Sequence, residues 1–326
     1  MVSLRPCILR GESEAHGLAL SRENGHLALI VNEGHLGDNA KITIHSTSMN
    51  KVEHQADYVF PGRTEDLCYL NDSGLVACGG DEDPDGYGGE GFLQVFSPSL
   101  ELVQTLEGHC NCVECVTVSP SFSFIISGDA DGKVMIWSES GARAQVLEDH
   151  TDWIYSVCFS PDGKQLATGS YKSINIYSFN DGSAILAHTL EGHTVNVNSL
   201  SFSPDCKTLC SGSWDDSIKF WNPADGSLVK SIDQAHTYYV NSVSYSPNGR
   251  VLVSAGYDKT MKIWDAETFE LKHTFEQEFR TNQLAITADS NFIVSANNDN
   301  TVRITPCREY HLTALTPILN LILHIV

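Results

Sequence analysis

A histidine-ending string recurs along this chain at a nearly constant interval. It reads Leu-Glu-Gly-His to His109, Leu-Glu-Asp-His to His150, Leu-Glu-Gly-His to His193 and Gln-Ala-His to His236, in steps of 41, 43 and 43 residues. A second string keeps step with it, as Val-Ser-Pro ending at Pro120, then Phe159 to Gly163, Phe202 to Asp205 and Tyr245 to Gly249. A period of this size means stacked copies of one supersecondary unit, each burying its apolar surface against its neighbours.

Within each unit, runs such as VNSLSF, TLCSGS and SIKFW alternate apolar with polar residues and are separated by turn residues. Period two means strands, so each unit offers four short antiparallel strands with apolar residues on both faces. Looser copies at 17–45, 66–96 and 283–305 join the four clear units at 109–137, 150–177, 193–221 and 236–264, which predicts seven units in all. The fold class expected is all-β.

The units also share side chains in register: His109, Ser127, Asp131 and Trp137; His193, Ser211, Asp215 and Trp221; His236, Ser254, Asp258 and Trp264. This pattern resembles the Gly-His to Trp-Asp signature of the WD-repeat family, and the pair stands complete at Trp264-Asp265. The first, second and last units depart from it, with Gly11, Phe60 and Gln277 at the histidine position and His45, Phe96 and Thr305 at the tryptophan position. The fourth keeps His150 and Thr168 but has Tyr177 for tryptophan and a shortened turn, Ser170-Tyr171-Lys172, without the aspartate.

The resemblance implies a seven-bladed β-propeller over residues 1–310, with blades at 11–45, 57–97, 103–138, 144–178, 187–222, 229–265 and 271–305, followed by an apolar tail at 311–326. An open ring would leave unpaired strand edges. Residues 5–10 align with the outermost strand at 144–149, so the N-terminal strand is expected to complete the last blade; the segment His311 to Thr316 is the rival.

Charge limits the partners. The chain carries 41 acidic and 20 basic residues, a net charge of −21. Such a surface repels phosphate and anionic lipid, which argues against nucleic acid or a membrane as partner and favours a cationic one. The first seventeen residues hold no apolar stretch of roughly 7–15 residues of the kind a secretory signal requires, so export is not expected. The ten cysteines fall mostly inside alternating segments, where free thiols behave as small core hydrophobes. A cytoplasmic or nuclear location follows.

Several constellations suggest chemistry. Ser, His and Asp recur together as in a hydrolase, but identical copies at one period indicate a buried hydrogen-bond network in each unit and no catalytic residue. Cys110, Cys112 and Cys115 have soft ligands at close spacing, yet Cys110 and Cys115 stand where other units have threonine and serine, so no metal is expected. Asp81, Asp83, Asp85 and Gly86 follow the order of a calcium loop, but Phe92 occupies the twelfth position, where a bidentate Glu is needed. The tail from Leu312 to Val326 is shorter than the roughly 20 apolar residues of a membrane span, and Pro317, Asn320 and His324 interrupt it. The sequon Asn71-Asp72-Ser73 carries no weight without secretion. No cofactor is expected.

In the family the usual docking face is the rim where loops enter the innermost strands. The resemblance places Cys112, Trp153, Asn196 and Tyr239, then Glu114, Tyr155, Asn198 and Asn241, then Ala130, Trp214, Tyr257 and Asn298 on that rim, with Tyr171 the nearest equivalent in the fourth unit. The looser units add Glu14, His16, Arg63, Glu65, Arg280 and Asn282. Trp153, Tyr155, Tyr171, Trp214, Tyr239 and Tyr257 are aromatic anchors, and Glu14, Glu65 and Glu114 suit a partner bearing Lys or Arg. The reading is a non-enzymatic scaffold or adaptor, a monomeric propeller inside a hetero-complex that docks basic peptide segments of other proteins. The alternatives are an enzyme with its site at the channel mouth and a membrane-tethered adaptor using the tail.

Overall fold

The computed structural model describes residues 7–10, 15–20, 26–33, 39–46, 51–58, 60, 63–70, 74–80, 90–299 and 301–307. Before residue 60, side chains are described only at 18–20 and 28. Gly11, Glu14, the sequon, Asp81 to Gly86 and the 311–326 tail lie outside the described residues.

The described chain is all-β, with antiparallel pairing throughout, and its sheets stand in a ring like a β-propeller. β1 (Cys7–Arg10) precedes a sheet of β2 (Ala15–Leu20), β3 (His26–Glu33), β4 (Asn39–Ser46) and β5 (Lys51–Tyr58). The next holds β6 (Arg63–Tyr69), β7 (Leu75–Gly80), β8 (Gly91–Phe96) and β9 (Leu102–Thr105). Then come β10 (Val113–Val118), β11 (Phe124–Asp129), β12 (Val134–Ser138) and β13 (Arg143–Leu147).

A seven-stranded sheet follows: β14 (Ser156–Phe159), β15 (Gln165–Gly169), β16 (Tyr171–Asn180), β17 (Ser183–Phe202), β18 (Leu209–Ser213), β19 (Ile218–Trp221) and β20 (Leu228–Ile232). Its middle strand, β17, runs for 20 residues, pairing with β16 mainly through its first half and with β18 through its second. The remaining strands are β21 (Val240–Tyr245), β22 (Val251–Gly256), β23 (Thr260–Asp265) and β24 (Leu271–Glu276), then β25 (Thr281–Ile286), β26 (Phe292–Asn297) and β27 (Thr301–Pro306). β1 lies antiparallel beside β27, from Cys7 opposite Ile304 to Arg10 opposite Thr301.

The core is divided among the junctions. One cluster joins Cys78 and Leu93 to Val113, Ile125 and Trp137; the next joins Ile126 and Ile136 to Ile154, Leu166 and Tyr177. The same sharing continues from Ile176 to Trp221, from Phe220 to Trp264, from Val253 to Ile293 and from Val302 to Leu18. Each sheet is apolar on both faces and is sealed only by the sheets beside it. The approach is close enough that a Cβ on Gly212 would lie 2.7 Å from Val240 Cγ1.

The shared residues tie each unit internally. Ser211 Oγ accepts from the Trp221 indole at 2.8 Å and lies 2.8 Å from His193 Nε2, while His193 Nδ1 lies 2.9 Å from Asp215. His236, Ser254, Asp258 and Trp264 repeat this at 2.7 to 2.9 Å. An indole can only donate, so the serine passes its hydrogen to Nε2 and the imidazole donates from Nδ1 to the carboxylate. Burial alone would raise the Asp215 and Asp258 carboxyls, but their bonded histidines hold both well below the usual range.

The third unit departs from the expected pattern: His109 Nδ1 meets Asp129 at 2.6 Å, not Asp131. Asp129 lies fully buried at the end of β11, whereas Asp131 is exposed in the turn, where it accepts from the Asn111 amide at 3.0 Å. In the fourth unit His150 Nε2 lies 2.7 Å from Thr168 Oγ1 and no carboxylate completes the network. In the second, Phe60 packs edge-on against Phe96 with centroids 5.7 Å apart, an apolar substitute for the same contact.

Two stability outcomes follow. Asp129→Ala breaks a buried pair and is expected to lower urea-unfolding stability by about 3 kcal/mol, while Asp131→Ala shifts it by less than about 0.5 kcal/mol. Burial lowers His150 from its ordinary 6.5 to about 4, so the unfolded chain takes up that proton first. The contribution of a neutral His150 is thus present above pH 6.5 and lost as pH falls toward 4. In urea titrations across that window, His150→Gln should flatten the slope of stability against pH.

Candidate functional site at the channel mouth

The innermost strands line a channel, and their entry ends share one irregularity. In β2, β6, β10, β17, β21 and β25 the register slips by one residue, at His16, Glu65, Glu114, Asn198, Asn241 and Asn282. A bulge leaves one residue out of the ladder and re-aims its side chain. Tyr155 stands at the same place just before β14, and Glu65, Glu114, Tyr155, Asn198, Asn241 and Asn282 all line the channel cavity of about 700 Å³, which runs on along the innermost strands to Leu20, Tyr69, Val118 and Ser244.

At several of these places the following residue bonds to the neighbouring innermost strand. Asp66 accepts from the Val116 backbone at 3.1 Å, Ser156 from Leu200 at 3.1 Å, Ser199 from Val243 at 3.0 Å, Ser242 from Leu284 at 3.0 Å and Gln283 from Leu18 at 2.7 Å. Gln283 also donates to Asp66 at 3.2 Å. Asp66 and Gln283 were not among the residues expected to matter; their offset of one from Glu65 and Asn282 was the available signal.

Above the bulges, backbone bonds of 2.9 to 3.0 Å clip a turn residue to a loop residue in each of four units: Ala130 to Cys112, Trp214 to Asn196, Tyr257 to Tyr239 and Asn298 to Arg280. Trp153 lies 6.1 Å from Tyr155, Tyr155 6.0 Å from Trp214, Trp214 stacks on Tyr239 at 5.1 Å, and Tyr239 meets Tyr257 at 5.7 Å. These rings form one arc, which the Arg280 guanidinium ends at 4.5 Å over Tyr257. Tyr238 joins it, stacked on Tyr239 at 4.3 Å; the sequence reading missed it because it sits one residue off the repeating rim position.

Other expected rim residues are placed differently. The missing turn residue puts Tyr171 apart from the arc, 42% exposed, with the Lys172 ammonium 4.5 Å from its ring. Asn198 donates to the Asn241 carbonyl and Asn241 to the Thr281 carbonyl, both at 3.0 Å, so these amides bind neighbouring backbone. Asn196 hydrogen-bonds the Tyr155 hydroxyl, which burial pushes up to about 12.

Beside the Tyr155 end of the arc the third unit has the small Cys112 and Ala130 at the rim, and the lining there is acidic. Burial, then repulsion from Glu65, raises Glu114 to about 8, with a Cys112 thiol contact and the Arg63 charge opposing. Arg63 Nε lies 3.0 Å from Glu65. Burial likewise raises Asp66 to about 6 against three hydrogen bonds.

Ser127, Ser211 and Ser254 are fully buried, so no substrate reaches these hydroxyls. Among the described residues no three His, Cys, Asp or Glu side chains gather as a metal site, and Cys115 Sγ lies 3.3 Å from the Ile154 carbonyl. The nine described cysteines with placed side chains are free thiols. No helix among the described residues is long and apolar enough to cross a membrane.

A family described as WD domain, G-beta repeat matches residues 100–138, 141–178, 185–222, 226–265 and 269–305, more than half of the chain. Small ribosomal subunit protein RACK1 of Medicago sativa is 31% identical over 87 residues, 27% of this chain and 27% of that protein. Guanine nucleotide-binding protein subunit beta of Oryza sativa subsp. indica is 27% identical over 88 residues, 26% of this chain and 23% of that protein. Apoptotic protease-activating factor 1 of Homo sapiens is 36% identical over 76 residues, 20% of this chain and 6% of that protein. Each alignment spans well under two thirds of the relative's own length.

The raised Asp66 carboxyl has a measurable sign. The folded state keeps its proton to about pH 6 while the unfolded state loses it near 3.8, so this residue's contribution falls as pH rises between those values. Asp66→Asn is expected to remove that slope, with a lower melting temperature overall because its amide NH2 meets one of the N–H donors the carboxyl accepts.

Proposed function

The chain belongs to the WD-repeat family, and on that premise we propose that it is a non-catalytic interaction scaffold that docks basic segments of partner proteins at the channel mouth. The observation that carries this reading is the arc of Trp153, Tyr155, Trp214, Tyr239 and Tyr257, with the acidic Glu65 and Glu114 beside its Tyr155 end. Aromatic rings held by neighbouring rings lose little entropy on binding and are typical interface anchors. The net charge of −21 favours a cationic partner.

The body is a single seven-bladed propeller whose ring the N-terminal strand completes. Support comes from the pairing of β1 with β27 and from the contact of β25 with β2. In this reading the long strand β17 serves two blades, as outer strand of one and inner strand of the next. The protein is one propeller within a larger complex, in keeping with relatives named as subunits. Free thiols suit a reducing compartment, cytosolic or nuclear.

An enzyme is the second reading, favoured by one observation: Glu114 is held protonated near neutral pH beside a second carboxylate. The Cys112 thiol beside them is pushed far up by burial and so stays un-ionised, a poor nucleophile, and the channel is wide and lined largely by polar groups.

Affinity capture with the intact chain and with Trp153→Ala plus Trp214→Ala tests the scaffold reading. The double variant should lose the proteins the parent retains while keeping the parent's unfolding transition. Equal recovery by both would remove the arc as the docking face.

A further inference from the structure

The aromatic arc is capped at one end and not at the other. At the Tyr257 end the Arg280 guanidinium lies 4.5 Å over the ring, so a cation already stacks there. At the opposite end stands Trp153, half-buried, whose ring meets that of Tyr155 at 6.1 Å. No other ring and no cation among the described residues lies against it. Tryptophan is the best of the aromatic faces for a cation, so the stronger of the two end faces is the one left without a cation.

A carboxylate is set beside that indole. Asp152 Oδ1 accepts the Trp153 backbone N–H at 2.8 Å, and no lysine or arginine among the described residues pairs with it. The ammonium groups on the two adjoining turns are held elsewhere. The turn 131–133 abuts the Asp152 carbonyl, which a Cβ on Gly132 would approach to 2.9 Å, and its Lys133 pairs with Asp131 at 3.9 Å. Ser170 donates to the same carbonyl at 3.0 Å, and Lys172 beyond it lies 4.5 Å from the Tyr171 ring. Glu148 and Asp149, both exposed, precede Asp152 in the same loop, so the surroundings of this indole are negative. After burial, the Asp152 charge is the next cause that pushes the Tyr155 hydroxyl up, so it is felt along the arc.

We propose that Trp153 and Asp152 seat the guanidinium of an arginine in the docked partner segment, its plane on the indole and its N–H edge toward the carboxylate, as a counterpart from the partner to Arg280 on Tyr257. This rests on the reading of the rim as a docking face and names the residue that the basic segment brings to it. Arginine fits better than lysine: a guanidinium is planar and weakly hydrated, so it stacks by one face while its edge donates to a carboxylate, whereas an ammonium is a strongly hydrated point charge. A metal ion is a poor occupant, since one carboxylate beside an indole is a single ligand group.

Titration of the intact chain with acetyl-Gly-Arg-Gly amide tests this, with the citrulline and lysine versions of the same peptide as probes of charge and shape. Of the five tryptophan indole N–H signals in NMR, the one that Trp153→Phe removes should move and saturate. The citrulline version should bind at least about threefold more weakly and the lysine version about twofold more weakly, the size of a cation–π contact at an exposed site. Asp152→Asn keeps an oxygen to accept the Trp153 N–H and removes the charge, so it should weaken the arginine probe by about threefold while its melting transition shows it folded. Equal affinity for arginine and citrulline, lysine binding as tightly as arginine, a shift confined to other indoles, or full affinity in Asp152→Asn would overturn the proposal. None of those outcomes touches the docking reading, which fails instead if Trp153→Ala plus Trp214→Ala releases no partner, whatever the probe does.

Discussion

Everything in this protein depends on each sheet lending its two apolar faces to its neighbours. The clusters centred on Trp137, Tyr177 and Trp264 each join two sheets, and the one at Trp221 lies between the two halves of the seven-stranded sheet. A ring is the arrangement in which no such face is left over, and it explains why Gly212 cannot carry a side chain where Val240 comes against it. Rigidity at the rim is inherited from this packing.

The same junctions set the geometry of the mouth. The bulge residues Glu65, Glu114, Asn198, Asn241 and Asn282 line the channel, and Asp66, Ser199, Ser242 and Gln283 beside them bond to the neighbouring innermost strand, which fixes that lining in place. Sequence then differentiates the sectors. Tyr239 and Tyr257, clipped by a backbone bond, belong to the aromatic arc, whereas Cys112 and Ala130, clipped in the same way, are small and stand beside the acidic Glu114. One repeated backbone device therefore carries two different chemistries around one channel.

Much of this was legible from the period alone. A constant offset fixes where the histidine, serine and tryptophan fall, because strand register repeats with the unit, and it likewise fixes the positions of Trp153, Tyr155, Trp214, Tyr239 and Tyr257. What spacing could not resolve were local choices. Asp129 and Asp131 both lie near His109, and depth of burial, not order in the chain, selects Asp129. Tyr171 follows a turn one residue short, so its alignment did not convey its direction. Asn198 and Asn241 look free in sequence, but their amides are taken by backbone carbonyls whose position only tertiary pairing reveals. Asp66 and Gln283 bond to partners 50 and 265 residues away, a range no local pattern encodes.

The uninterrupted course of β17 has a mechanical consequence. Elsewhere a loop separates the outer edge of one sheet from the inner edge of the next, and such a loop can absorb slack. Here one strand carries both ladders, with only residues 192–195 outside the register that joins it first to β16 and then to β18, so the two are linked through a span of backbone too short to hold much slack. Movement of one half of this seven-stranded sheet is thereby passed to the other, in the sector whose rim carries Tyr155 and Trp214.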